Sequence, residues 1–211
     1  EIIKKTSQYL NGILIENERN DILNKNEIYK LKSYIIDLNY PFVISFVGEW
    51  NKGKSSIINK IIGKDICKVD SLPATTQPTL YMNSDVYNNI FNTNSNRDDD
   101  ILVEGINNIE ILKGIGICDL PGLNNDIEYG HDNIVKQYLP RTDIICCVTD
   151  IHQIWSESER ITLQYVKEIN KDSNIMTVIN KCDQASGFDE LNKLKQFRQE
   201  RMNKITNNNM D

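Results

Sequence analysis

Phe42-Val-Ile-Ser-Phe-Val-Gly48-Glu-Trp-Asn51-Lys-Gly53-Lys54-Ser55-Ser56-Ile-Ile-Asn-Lys-Ile-Ile-Gly63 is the stretch on which the reading of this chain turns. A short apolar run of strand length leads into Gly48. The residues from Gly48 to Ser55 fit G-x-x-x-x-G-K-[ST], and a helix follows with Ile57, Ile58, Ile61 and Ile62 on one side. Strand, glycine loop and helix in that order make a phosphate cradle. Gly48 and Gly53 permit backbone angles and close approaches that a Cβ would block. The loop amides, from Asn51 and Lys52 through Ser56, together with the helix N-terminus, present N–H groups to a polyphosphate. Lys54 adds a point charge at the terminal phosphates, and the Ser55 hydroxyl is placed to ligate Mg²⁺. A glycine turn that binds nothing is the bland alternative, and the complete pattern in this context argues against it.

The 211 residues suit one domain with an appendage, and 39% hydrophobic with 26% charged residues fits a soluble globular protein. No apolar run approaches the ~20 residues of a membrane span. The chain opens at Glu1 rather than Met, which reads as a fragment, with any membrane anchor outside it. A net charge of −6 argues against a broad nucleic-acid-binding face. The five cysteines (Cys67, Cys118, Cys146, Cys147 and Cys182) are scattered, mostly in apolar runs, without paired metal-ligand spacing. They read as reduced packing residues, in an intracellular setting. His131 and His152 belong to no ligand cluster.

Residues 1–39 read as two helices, with Ile3, Leu10 and Leu14, then Ile28, Leu31, Ile35 and Leu38 at three- and four-residue steps. Asn20-Asp21 and Asn24-Lys-Asn26 mark the break. This stripe must bury itself against the main domain or against other helices, as in a neck or bundle. Tyr40-Pro41 closes the helix and starts the first strand. The main domain is expected over 40–211.

Beyond Gly63, Leu72-Pro-Ala-Thr75-Thr76-Gln-Pro78 forms a constrained loop before a strand around Leu80–Met82. A hydroxyl there would reach Mg²⁺ only when a terminal phosphate is present. Residues 84–108 are polar, with Asp98-Asp-Asp100 lacking calcium-loop spacing, and read as a solvated, partly disordered insertion. A strand from Ile109 then ends in Asp119-Leu-Pro-Gly122, a D-x-x-G in which the carboxylate serves Mg²⁺ and the glycine amide the γ-phosphate. Residues 124–133 read as a mobile second switch, with His131 at its surface. Asp143–Thr149 reads as a central parallel strand, and Ser156-Glu-Ser-Glu159 as a capping box opening a helix. Asn174–Ile179 reads as another buried strand, ending in Asn180-Lys181-Cys182-Asp183. In N-K-x-D the carboxylate takes both N–H donors of a guanine edge, the lysine lies over the base, and the asparagine braces the loops. Open α/β sheets place ligands at such strand ends. A charge-rich helix from Phe188 to Ile205 completes the pattern.

GxxxxGKS, Thr, DxxG and NKxD in this order resemble the G domain of translation-factor-class P-loop GTPases over residues 42–183. Leu72-Pro73 before Thr75, Gln77-Pro78, the Asp119–Asn124 stretch and the Asp143–Glu159 segment resemble dynamin-type GTPases, and the bacterial dynamin-like and mitofusin branch in particular. The resemblance implies an α/β P-loop fold: a mainly parallel sheet with helices on both faces, preceded by N-terminal helices. It implies a GTPase of dynamin type that couples hydrolysis of GTP to GDP with G-domain dimerisation and membrane remodelling.

By that match Lys54 and Ser55 serve the phosphates and Mg²⁺, Thr75 is the switch threonine with Thr76 one register on, Asp119 and Gly122 serve the γ-phosphate, and Asn180, Lys181 and Asp183 the base. Leu123 stands where Ras-type GTPases carry a water-orienting Gln. Asn51 occupies the position at which cation-dependent relatives help hold K⁺, which there replaces an arginine finger. No fifth motif or final strand follows Asp183. An Era- or septation-type GTPase of ribosome assembly or RNA modification, and a non-hydrolysing nucleotide switch, are the alternatives.

Overall fold

The computed structural model describes residues 2–67, 77–91, 102–122, 138–139, 142–169 and 174–206. Two helices, α1 (Ile2–Asn20) and α2 (Lys25–Asn39), precede the first strand, β1 (Phe42–Val47). Asn24 caps α2 by accepting from the backbone N–H of Asn26 and Glu27, while the Glu27 carboxylate takes the Asn24 N–H. That reciprocal arrangement fixes the helix break read from the sequence. The remaining elements are α3 (Lys54–Ile62), β2 (Thr79–Asn83), α4 (Ser84–Phe91), β3 (Leu102–Ile106), β4 (Ile115–Asp119), β5 (Ile144–Asp150), α5 (Glu157–Ile169), β6 (Asn174–Asn180) and α6 (Phe188–Thr206).

The strands form one six-stranded sheet in the order β3-β2-β4-β1-β5-β6. β4, β1, β5 and β6 run parallel, whereas β2 pairs antiparallel with β4 and parallel with β3. Side chains alternate across the sheet, as the two-residue strand period requires. Val43, Val47, Ile145 and Cys147 face one core with Leu163 and Val166 of α5 and Met202 and Ile205 of α6. Phe46, Cys146 and Val148 face a second core with Ile58 and Ile62 of α3. The expected fold class is therefore the observed one: a mainly parallel sheet between two helical layers, with helices ahead of it.

Four details differ from the reading of the sequence. Residues 84–108 are not simply a solvated insertion: α4 and β3 lie within them, and β3 pairs along the whole of β2. Val86, Tyr87 and Val103 are apolar residues spaced among the asparagines, and all three pack on the first core. Gly105 lets β3 lie against α4, for a Cβ there would come within 3.2 Å of Ser84 and Tyr87. The expected strand from Ile109 is shorter, because Glu110–Lys113 coil into a 3₁₀ turn that buries Leu112 before β4 begins. β6 is half-buried rather than buried; it borders the described sheet, and Met176 is 52% exposed. Likewise Ile61 of α3 faces outward while Ile58 and Ile62 are buried. The helices of 2–39 pack on each other, and α2 also meets α4. Among the described residues no helix is long and apolar enough to cross a membrane.

Candidate nucleotide site

The parallel strands β1, β4, β5 and β6 end on one side of the sheet. In register, Phe46 lies beside Asp119 and Asp150 beside Asn180. The loop from Gly48 to Gly53 leaves β1 between them, at the point where the chain's connections diverge to either side. Its glycines are required by contact as well as by angle. At Gly48, with φ 151°, a Cβ would fall 2.3 Å from the Val148 carbonyl oxygen. At Gly53, with φ 88°, it would fall 2.2 Å from Asn180 Nδ2. Gly122 is held by a third close approach, a Cβ there meeting the Trp50 backbone at 2.9 Å.

Lys54 is buried, and its ammonium donates to the carbonyls of Gly48 and Glu49 at 3.0 and 3.1 Å. Burial pushes its pKa down, opposed by the negative charges of Asp119 and Glu49. Ser55 Oγ donates to Asp119 Oδ2 at 2.7 Å, and the other oxygen, Oδ1, is buried without a partner. Burial raises the Asp119 pKa, against the lowering effects of the Ser55 hydroxyl and the Lys54 charge. A hydroxyl beside a half-satisfied buried carboxylate is a donor set suited to a hard, oxygen-seeking divalent cation. Mg²⁺ fits it.

The base-side motif meets the loop directly. Asn180 Nδ2 donates to the Lys52 carbonyl at 3.0 Å, and Lys181 Nζ to the Asn51 carbonyl at 3.1 Å. Lys181 adopts φ 58° at the turn that follows β6, and Asp183 lies exposed in the 3₁₀ turn Cys182–Gln184. Asn51 and Ser56 are exposed, Asn51 with φ 61°. The Lys52 ammonium donates to Gln153 Oε1 at 2.8 Å and pairs with Asp150 and Glu49. Thr75, Thr76, Leu123, His131 and the Asp98–Asp100 run lie outside the described residues.

Several participants escaped the sequence reading. Asp150 receives the ammonium groups of both Lys52 and Lys181. Burial alone would raise its pKa, but the Lys181 hydrogen bond and the charges of Lys52 and Lys181 outweigh this and hold the carboxyl below its usual range. Its position at the carboxyl end of a parallel strand was the available signal. Glu49 accepts from Ser158 Oγ, tying the loop to the start of α5. Glu159 fills only half of the expected capping box: its N–H bonds Ser156 Oγ at 3.1 Å, but its carboxylate turns inward to Arg198 of α6 and the Cys147 thiol.

A family model described as 50S ribosome-binding GTPase matches residues 43–181. This chain belongs to that GTPase family. Within it, the GTPase is 28% identical over 181 residues to a probable transmembrane GTPase, FZO-like and chloroplastic, of Arabidopsis thaliana, covering 86% of this chain and 19% of that protein. It is 27% identical over 165 residues to GTPase Der of Clostridium tetani, covering 77% and 32%. Among solved structures, the GTPase superposes on one of an oligomerised bacterial dynamin pair with TM-score 0.60 at 18% identity, covering 95% of this chain and 35% of that one. The chain thus shares its fold with part of that bacterial dynamin. The chain spans between about a fifth and a third of the length of these relatives.

Proposed function

We propose that this chain binds GTP and GDP and hydrolyses GTP, as the G domain of a dynamin-like protein that couples G-domain pairing to membrane remodelling. One observation carries the nucleotide reading: Lys54, Ser55, Asp119, Asn180 and Lys181, from three separate motifs, converge on one sheet edge through direct contacts. Phosphate oxygens would replace the two carbonyls that now hold the Lys54 ammonium, a stronger charge-assisted partner for a buried cation. Ser55, Asp119 and Thr75 would hold Mg²⁺, which supplies neutralisation of phosphate charge. Gly122 would offer its amide to the γ-phosphate. Asp183 would read the guanine edge and the Lys181 stem would cover the base.

Leu123 cannot orient a water, so hydrolysis needs charge from elsewhere. The exposed Asn51 supports a K⁺ ion enclosed by a second G domain. The likeness to the FZO-like GTPase favours the dynamin-type reading, and the acidic balance of the chain disfavours RNA. The likeness to Der supports a ribosome- or RNA-directed GTPase as second reading. The full-length protein is expected to hold fluorescent GDP but not ADP, and to turn over GTP with a specific activity that rises with concentration and requires K⁺ over Na⁺ or Li⁺. A low rate independent of concentration and cation would leave a nucleotide switch instead. Sedimentation with anionic vesicles rather than with ribosomal RNA separates the two directed readings.

A further inference from the structure

We infer that Asp150 is a positioning residue for nucleotide binding, a single carboxylate that locks the phosphate loop to the base-binding lysine. The inference rests on the guanine-nucleotide reading of this cleft. The two oxygens of Asp150 have separate tasks. Oδ1 accepts the backbone N–H of His152 at 3.0 Å and of Gln153 at 3.1 Å, closing the turn after β5. Oδ2 is left for two cations, Lys181 at 3.2 Å and Lys52 at 3.4 Å. Asp150 is buried, and its side chain is only 9% exposed. Water therefore screens these contacts little.

The two lysines come from opposite ends of the ligand. Lys52 sits inside the phosphate loop, and its ammonium also reaches Gln153 and Glu49. Lys181 belongs to the base-side motif and is 30% exposed, with Asp150 as the anion its ammonium meets and the Asn51 carbonyl as its second acceptor. The lysine stem must lie flat to cover a base, and a long flexible side chain loses rotamer freedom in doing so. Asp150 fixes the far end of that stem before nucleotide arrives, and so lowers the ordering cost of binding. Lys52 keeps Glu49 if Asp150 is neutralised. Lys181 keeps only a carbonyl, so Lys181 is the group through which the loss is felt. Lys54, Ser55 and Asp119 do not contact Asp150 and keep their arrangement.

The test is release of fluorescent GDP from the full-length protein and steady-state GTP turnover, in wild type, Asp150→Asn, Lys181→Met and Thr149→Val. Asp150→Asn is expected to release GDP about ten- to a hundredfold faster and to raise KM similarly, with kcat within about threefold. Lys181→Met should act in the same direction, and the double variant should be no more than about twofold faster than Lys181→Met alone. Thr149→Val perturbs the same turn, since Thr149 Oγ1 donates to the Gln153 carbonyl, but touches neither lysine, and should release GDP at the wild-type rate. Unchanged release in Asp150→Asn, an equal effect in Thr149→Val, or a fall in kcat at constant KM would each overturn the inference. Should Asp150→Asn fail to fold, Lys52→Met and Lys181→Met carry the test, and wild-type release rates in both overturn it. Wild-type protein that holds no guanine nucleotide overturns the nucleotide reading itself, and this inference with it.

Discussion

Asp119 and Gly53 show how tightly single residues are constrained at this site. The Asp119 carboxyl is buried with one oxygen unpartnered, and burial raises its pKa in the folded chain. A raised carboxyl pKa means that the charged form is less stable folded than unfolded. The destabilisation is complete above the folded-state pKa and vanishes below the unfolded value of about 3.9. Asp119→Asn is therefore expected to melt a few degrees higher than wild type at pH 7 without nucleotide, while Mg²⁺ no longer tightens GTP binding. Calorimetry and a nucleotide titration check the two halves. Gly53→Ala has no such benefit: a left-handed φ and a Cβ 2.2 Å from Asn180 Nδ2 should weaken GDP binding about ten- to a hundredfold, read by the same titration. The sequence showed both residues as motif positions. It did not show that Gly53 is required by Asn180, because that contact joins residues from opposite ends of the domain.

At the scale of elements, α6 is fastened to α5 and β5 by a buried ion pair. Arg198 is 2% and Glu159 3% exposed. Arg198 Nη1 also donates to the Ile154 carbonyl at 2.6 Å, and its guanidinium lies 6.0 Å from the Trp155 ring centroid. Removing one partner strands the other charge without water. Arg198→Ala is expected to cost about 3–5 kcal/mol, whereas Arg198→Met with Glu159→Leu should recover most of that. Urea unfolding midpoints of the three proteins decide it. On the helical pattern Arg198 looks like one more surface charge of a polar helix, and nothing in its spacing marks it as buried. The same limit explains α4 and β3: their few apolar residues become a core face only when β3 pairs with β2 and α4 meets α2.

For the whole molecule, the phosphate loop, the base motif and the turn after β5 behave as one charged assembly joined at Asp150. Its lowered carboxyl pKa contributes stability that is present above the unfolded value of about 3.9 and lost as pH falls through the folded value. Melting temperatures of wild type and Asp150→Asn should therefore converge as the pH drops from about 5 toward 2, with wild type the more stable at the upper end. Parallel curves across that range would show that the two lysines do not stabilise the fold through this carboxylate.

The sequence by itself determined the class of sheet, the phosphate loop, the D-x-x-G and N-K-x-D positions and the helical lead-in. Each is written in local terms that a linear chain displays: glycine spacing, apolar runs of strand length, and helix periodicity. Only the tertiary structure decided that β3 extends the sheet, that the Lys52 ammonium pairs with Asp150, that the Glu159 carboxylate leaves its cap for Arg198, and that one strand-end carboxylate holds two motifs together. Those are partnerships between residues far apart in the chain. Charge and burial acquire their meaning there only once the fold has brought the partners together and excluded the water between them.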